Sequence, residues 1–412
     1  MDRIERIYIN GEFVAPHGQE WFDLHNPSTE EVIGQVLLGD AHDARRAIAA
    51  AKAAFPAWSR TTREERVAAL KRMHRAVVAR EDRLMEVILE EYGAPSVRGR
   101  WMATYPAAVI EQAIEVLESF AFEEQAGTAR VIQTPVGVAG LITPWNSNAG
   151  FICNKLATAL AAGCTVVIKP SEMSALQTQV IAEALHDAAL PPGVFNIVNG
   201  RGDVVGEEIA RHPDIAKISF TGSSAVGEHL VTAGAATMKR VTLELGGKSP
   251  TVVLEDADFA GVMPLVLQAG FANSGQACIA GTRILVPRAR LIEFEQAARE
   301  AVSHVKSGDP SEADTDIGPM VSAKQWERVQ SYIRLGQAEG AKLLAGGEGR
   351  PEGLDRGWFV KPTIFTGATN QMRIAREEIF GPVLTVIPYE DEADAIAIAN
   401  DTRYGLSALV LG

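Results

Sequence analysis

From Val136 onward, short β-branched runs alternate with helical patterns, and this alternation restricts the fold more than any other feature of the chain. VGVAGLIT, TVVIKP, VFNIVNG and IAKISFTG are apolar enough to be buried on both faces, and stretches such as ALQTQVIAEALHDAAL separate them. A parallel sheet with helices on both faces satisfies that pattern, because each parallel crossover needs a connection of helix length. A second series, SPTVVLEDADF, TRILVP and GPVLTVIPYED, predicts another α/β unit beginning near Gly246. The 412 residues exceed what a single core usually serves, so two or more domains are expected.

The N-terminal third has a different texture. YINGEFV sets Asn10-Gly11 between two β-favouring runs, a hairpin signal because both turn residues tolerate positive φ. AHDARRAIAAAKAAFPAW predicts a helix from Asp40 to Pro56, and Thr62-Arg63-Glu64-Glu65 is a capping box opening a second. Val67, Leu70, Met73 and Val77 continue this second helix at helical spacing, with Gly93 as its stop. GDPSEADTDIG and AGGEGRPEGLDRG read as surface loops.

Charge and cysteine content narrow the function classes. With 39 Lys+Arg against 52 Asp+Glu the net charge is -13, which lacks the basic footprint of a nucleic-acid binder and favours small-molecule chemistry. Cys153, Cys164 and Cys278 form no CxxC and no pairable framework, so disulfide scaffolds and thiolate metal sites are poor explanations and no metal is expected. The opening residues scatter charges through every apolar run, and the Ala-rich stretch from Leu156 to Val167 is too short to span a bilayer. The expectation is a soluble, cytoplasmic protein with neither a nucleic-acid nor a membrane partner.

Several motifs carry chemistry, each with a bland alternative. Gly200-Arg201-Gly202-Asp203-Val204-Val205-Gly206 follows a strand and opens a helix, but its last glycine falls one residue too far for the dinucleotide fingerprint, so it is a cofactor loop or a plain turn. Phe220-Thr221-Gly222-Ser223 also sits at a strand-to-helix turn, where backbone N–H groups and a small hydroxyl can face a pyrophosphate. Glu228-His229 stand where a P-loop needs Lys and Ser/Thr, which argues against ATP. No GxSxG or HExxH occurs, leaving Cys278 in FANSGQACIAGTR as the candidate nucleophile, against the alternative of an inert buried thiol. Cys153 and Cys164 lie in apolar, Ala-rich surroundings and read as inert. Glu244 interrupts the apolar run VTLELGG, so burial, with a structural ion pair or a raised pKa suited to a general base, is expected there. Asn146 in ITPWNSNAG offers an amide to a developing oxyanion or stabilises a turn.

Together these segments resemble the NAD(P)-dependent aldehyde dehydrogenase superfamily, hydrolytic branch, along essentially the whole chain. The resemblance is carried by INGEFV with NPSTEEVIG, TPWN, KPSE, PPGVFNIV, FTGS, LELGGKSP, FANSGQACIAGTR, EEIFGPVL and NDTRYGLSALV. It implies an aldehyde dehydrogenase-like α/β fold: a Rossmann-type dinucleotide-binding domain over 1–119 and 138–245, a small β oligomerisation element over 120–137, and an α/β catalytic domain over 246–412. The implied reaction is NAD-dependent oxidation of an aldehyde to the carboxylic acid, with Cys278 as nucleophile, Asn146 as oxyanion donor and Glu244 as general base. Trp145, Lys169, Glu172, Thr221, Gly222, Ser223, Leu245, Glu378 and Phe380 are the implied cofactor residues. Glu172 favours NAD over NADP, because a carboxylate accepts ribose hydroxyls and repels a 2′-phosphate. A homodimer or homotetramer is implied as well.

The departures from the family also shape expectations. Many relatives carry an aromatic residue and then Pro after the oxyanion Asn, where this chain has Ser147-Asn148-Ala149-Gly150, and an aromatic is frequent where it has Ala272. A wider, more polar substrate tunnel is the expectation. Relatives also continue past YGLSALV, whereas this sequence ends at Gly412, so uncovered core surface, an exposed edge strand and reduced stability or association are expected. The rival readings are a catalytically impaired NAD-binding relative and a cysteine-dependent esterase without redox activity.

Overall fold

A computed structural model describes residues 2–412. The chain divides into two units by internal contacts, one holding Met1–His25, Val32–Glu91 and Gly99–Glu244, the other Asn26–Glu31, Tyr92–Arg98 and Leu245–Gly412. Two short segments thus pack with the C-terminal unit although they lie early in sequence. Within that unit, Pro27 accepts a hydrogen bond from the Trp358 amide at 2.9 Å and Glu30 pairs with Arg350 at 2.7 Å.

In the N-terminal unit five parallel strands, β1 (Val138–Ile142), β2 (Thr165–Lys169), β3 (Phe195–Ile197), β4 (Ile215–Thr221) and β5 (Arg240–Glu244), run in the order β5-β4-β1-β2-β3. The hairpin Ile7–Ile9/Glu12–Val14 extends the sheet antiparallel beyond β3, and its turn residues Asn10 and Gly11 take φ of 55° and 87°. Crossovers run through α1 (Asn148–Ala161), α2 (Ala175–Asp187) and α3 (Ser224–Ala235). Every residue of β1 and β2 is buried, as expected for central strands covered on both faces, whereas β5 at the edge alternates exposed and half-buried residues. A separate antiparallel hairpin pairs Glu123–Ala126 with Ala129–Ile132, and all eight residues are exposed.

The N-terminal helices follow the sequence in their starts better than in their stops. Asp40 and Thr62 both close capping boxes, with the Asp43 and Glu65 side chains reaching back to the cap amides. The first helix runs through Pro56 to Trp58. The second breaks at Val78, and a separate helix, Glu81–Val87, leads into a wider turn over Ile88–Tyr92 before Gly93 at φ +75°. The expected single helix to Gly93 is therefore two, because the apolar spacing of Val67 to Val77 is not continued through Ala79-Arg80.

In the C-terminal unit the parallel strands β6 (Pro250–Val253), β7 (Arg283–Pro287), β8 (Thr363–Thr366) and β9 (Val383–Tyr389) run in the order β8-β9-β7-β6. Lys342–Ala345 pairs antiparallel beside β8, and Leu409–Leu411 is the parallel edge strand beside β6. Alternation along the strands feeds two apolar layers. Ile284, Val286, Leu384 and Val386 pack with Phe259, Val266 and Phe294, while Leu285, Val383 and Ile387 pack with Val329, Ile333 and Phe365. No helix among the described residues is long and apolar enough to cross a membrane.

One buried cation ties this unit together. Arg283, at the start of β7, is fully buried and donates to the carbonyls of Lys248 (2.9 Å), Ile398 (3.0 Å) and Ala399 (2.8 Å) and to Asn370 Oδ1 (2.9 Å). Replacing it by an apolar chain strands those acceptors away from water. Arg283→Met is expected to lower the unfolding free energy by about 2–4 kcal/mol, read as a fall in the urea midpoint.

Candidate functional site

The N-terminal unit places its share of the site residues at the carboxyl ends of its parallel strands, the edge of an open α/β sheet where ligands bind. Strand register does the placing. Glu244 pairs with Thr221 across β5 and β4, Phe220 with Ile142 across β4 and β1, and Ile142 with Lys169 across β1 and β2. Trp145 and Asn146 follow directly on β1, Glu172 on β2, and Gly222 and Ser223 on β4.

These groups fit a dinucleotide. Thr221 Oγ1 is buried without a hydrogen-bond partner, a hydroxyl still waiting for one at the strand end. Ser223 caps α3 by accepting from the Val226 amide at 3.4 Å, and the Gly222 amide is tied to the Glu244 carbonyl at 3.0 Å. The Lys169 ammonium is buried and donates to Glu172 Oε2 at 3.3 Å and to the Gly200 carbonyl at 3.1 Å. Burial pulls its pKa down, and Glu172 opposes that pull. Arg201 approaches Glu172 only to 3.9 Å, because its guanidinium is spent on Glu20 at 2.6 Å. The Gly200–Gly206 segment is a wide turn into a short helix.

Glu244 departs from expectation. Its side chain is exposed at the end of an edge strand, so no buried ion pair is needed to hold it. The apolar residues of VTLEL predict burial, but β5 is the edge strand of the sheet and alternates exposed with half-buried residues. Lys155 on α1 is the charged group the sequence reading missed. It is buried, donates to Ser219 Oγ at 3.0 Å, and burial pushes its ammonium down to about 8, with Glu244 acting in the opposite sense. A lone Lys inside the apolar run FICNKLATALAA was the available signal.

The other cysteines are structural: Cys153 and Cys164 are buried, and burial pushes Cys153 up to about 12. Asn148 also corrects an expectation. It is fully buried and spends its amide on Thr143, Ser174 and Thr178, so it adds no polarity to a substrate passage.

The C-terminal unit places Leu245, Cys278, Glu378 and Phe380 before the amino ends of β6, β7 and β9. Cys278 is half-buried in the segment between α4 (Phe259–Phe271) and β7. Left-handed backbone concentrates around it: Asn273 at φ 55°, Ser274 at 58°, Gly275 at 72° and, before β9, Phe380 at 65°. Such conformations cost about 1–3 kcal/mol each for residues with side chains and persist where surrounding bonds hold them. Ser274 Oγ accepts from the Gly318 amide at 2.9 Å, Gln276 bonds Pro319 and Val321, and Gln325 donates to the Phe380 carbonyl at 2.8 Å.

Close backbone approach completes this half. The Gly247 amide donates to Glu378 Oε1 at 3.4 Å, while a Cβ on Gly246 would lie 2.2 Å from Glu378 Oε2 and one on Gly247 would lie 2.7 Å from the Cys278 carbonyl oxygen. Burial raises the Glu378 pKa, opposed by that amide and by Arg328 and Lys248. Lys248 is itself fully buried, with a pKa pushed down to about 7.

Comparisons with known proteins bear on the family. Residues 13–412 match the model of the Aldehyde dehydrogenase family. A 3-succinoylsemialdehyde-pyridine dehydrogenase from a Pseudomonas species is 46% identical over 406 residues, covering 98% of this chain and 85% of the relative. A mutant of aldehyde dehydrogenase C from Pseudomonas syringae, solved with NAD+ and octanal, superposes with a TM-score of 0.97 at 46% identity, over 99% of this chain and 84% of that one. An aldehyde dehydrogenase from Mycobacterium tuberculosis, solved with NAD+, gives a TM-score of 0.96 at 39% identity, over 100% of this chain and 86% of that one.

Two expected outcomes follow from the geometry. Gly247→Ala must displace the backbone carbonyl of Cys278, whereas Gly246→Ala meets only the movable end of Glu378, so alkylation of Cys278 by iodoacetamide should change more in the first variant. Because the folded pKa of Lys155 lies below its unfolded value, its burial penalises stability most at neutral pH and the penalty fades as pH rises through the folded and unfolded pKa values. Relative to wild type, Lys155→Met should therefore be more favourable at about pH 7 than at about pH 10 in denaturant titrations.

Strand order, the grouping of site residues at strand ends and the match along nearly the whole chain converge on one assignment: this chain belongs to the aldehyde dehydrogenase family.

Proposed function

We propose that this protein oxidises an aldehyde to its carboxylic acid with NAD as cofactor. The observation that carries the reading is Cys278, half-buried in a tied-down, left-handed segment, in a chain whose solved relative from Pseudomonas syringae holds NAD+ and octanal. The Cys278 thiolate adds to the aldehyde carbon, giving a thiohemiacetal whose oxyanion is stabilised by the Asn146 amide and the Cys278 backbone N–H. NAD, when bound, would supply the acceptor for the hydride that leaves as the thiohemiacetal C–H bond breaks and the thioester forms.

Glu244 then takes a proton from water, which attacks the thioester carbonyl and releases the acid and the thiolate. Its exposure suits that task, because water and proton exchange reach the carboxylate directly. Lys169 and Glu172 bind the adenosine ribose, Thr221, Gly222 and Ser223 the pyrophosphate, and Glu378 the nicotinamide ribose. Trp145, Leu245 and Phe380 pack around the cofactor. A carboxylate at Glu172, with Arg201 held by Glu20, favours NAD over its 2′-phosphate.

In domain terms, residues 1–119 and 138–245 form the dinucleotide-binding part and 246–412 the catalytic part. The exposed hairpin within 120–137 serves self-association into a dimer or tetramer, a role supported by Val131 and Ile132, each 48% exposed. A cytoplasmic setting suits a chain whose catalytic cysteine must stay reduced.

The test is NADH formation with octanal, benzaldehyde and a semialdehyde. Wild-type turnover that vanishes in Cys278→Ala is the expected result. Glu244→Gln should lower kcat by about 10²-fold or more while leaving a first-turnover burst, since only thioester hydrolysis loses its base. Ester hydrolysis without NADH formation would replace this reading with a cysteine esterase.

A further inference from the structure

Two loops of the N-terminal unit carry three of its proposed site residues: 143–147 after β1, with Trp145 and Asn146, and 170–174 after β2, with Glu172. Between them lies Asn148, the first residue of α1, fully buried. Its amide is saturated. Oδ1 accepts from Thr143 Oγ1 at 3.0 Å, and Nδ2 donates to Thr178 Oγ1 at 2.8 Å and to the Ser174 carbonyl at 3.3 Å. Thr178 in turn donates to that same Ser174 carbonyl at 2.8 Å, and Ser174 Oγ donates to the Trp145 carbonyl at 3.4 Å.

The network has an anchored far end. The fully buried Glu91 accepts from the Leu176 amide at 2.7 Å and from the Gln177 amide and side chain at 3.2 Å each, holding the first turn of α2 directly after Ser174. The Thr143 amide also donates to the Lys169 carbonyl at 3.1 Å. Both polar atoms of the Asn148 amide thus bond outside their own helix, to Thr143 and Ser174 in the two loops and to Thr178 in α2. In a water-free site such a saturated network holds its members to one geometry, because breaking any bond strands a buried polar group.

We infer that Asn148 is a positioning residue that locks the loop bearing Asn146 to the loop bearing Glu172, which follows Lys169 at the end of β2, so that one buried amide sets the oxyanion donor and the cofactor-ribose groups together. The assignment rests on the proposed NAD-dependent oxidation for the roles of the two loops, but the coupling between them stands on the bonds alone.

The experiment compares the full chain with Asn148→Ala, with Thr178→Val, which nearly preserves shape, and with the double variant. NAD affinity is read by calorimetry, kcat and KM with octanal, and hydrogen exchange of the amides of 143–147 and 170–174. Each single variant should weaken NAD binding about 10-fold, lower kcat by about 10- to 100-fold through displaced Asn146, and speed exchange in both loops together. The double variant should be no worse than the poorer single one, because both cut the same network. Lower stability with NAD affinity, kcat and loop exchange all within about twofold of wild type would overturn the inference, as would effects that multiply in the double variant. If the wild-type chain neither binds NAD nor turns over octanal, the functional reading fails on its own, and joint or separate loosening of the two loops by exchange still decides the role of Asn148.

Discussion

In-register pairing of β1, β2, β4 and β5 is the constraint on which the N-terminal half of the site depends. A shift of one residue in any of these parallel ladders would turn each side chain to the opposite face and move one strand end relative to the others. The Thr221–Glu244, Phe220–Ile142 and Ile142–Lys169 pairings hold the four ends level, so the loops that follow start from a common edge. The central strands β1 and β2 are buried at every position, so their ladders run through the interior of the unit.

The C-terminal unit solves the converse problem at the amino ends of its strands. There, segments with no regular ladder must approach one another closely, and glycine makes that possible. A Cβ on Gly275 would lie 2.2 Å from the Gly381 carbonyl group, at a φ of +72° that already disfavours side chains. The neighbouring left-handed Asn273 and Ser274 gain nothing sterically from their conformation. Ser274 Oγ accepts from the distant Gly318 amide and Asn273 Nδ2 donates to the nearby Gln276 carbonyl, so both a local and a long-range bond sustain the strain beside Cys278.

Buried polar groups do comparable work in both units. Arg283 gathers three carbonyls and an amide in one, and Asn148 gathers two hydroxyls and a carbonyl in the other. Neither residue touches its neighbours by sequence periodicity, and neither is signalled by any local pattern. Each specifies an arrangement rather than adding net burial energy, because a mismatched alternative leaves unpaired groups in a dry interior.

Local sequence carries the parallel architecture, the two strand-and-helix series, the Thr62–Glu65 capping box and the Asn10-Gly11 turn, since all of these depend on local chemistry and short-range periodicity, whereas the Asp40–Asp43 box came only with the structure. It also determined the family, because INGEFV, TPWN, FTGS, LELGG and FANSGQACIAGTR keep their order and spacing. Only the tertiary structure decided that β5 is an edge strand with Glu244 exposed, that Lys155 sits buried within the electrostatic reach of that carboxylate, and that Asn148 faces inward. Burial at an edge, and the partners of an inward-facing amide, depend on which distant segments arrive beside a residue, a non-local fact that the identity and periodicity of its neighbours do not encode.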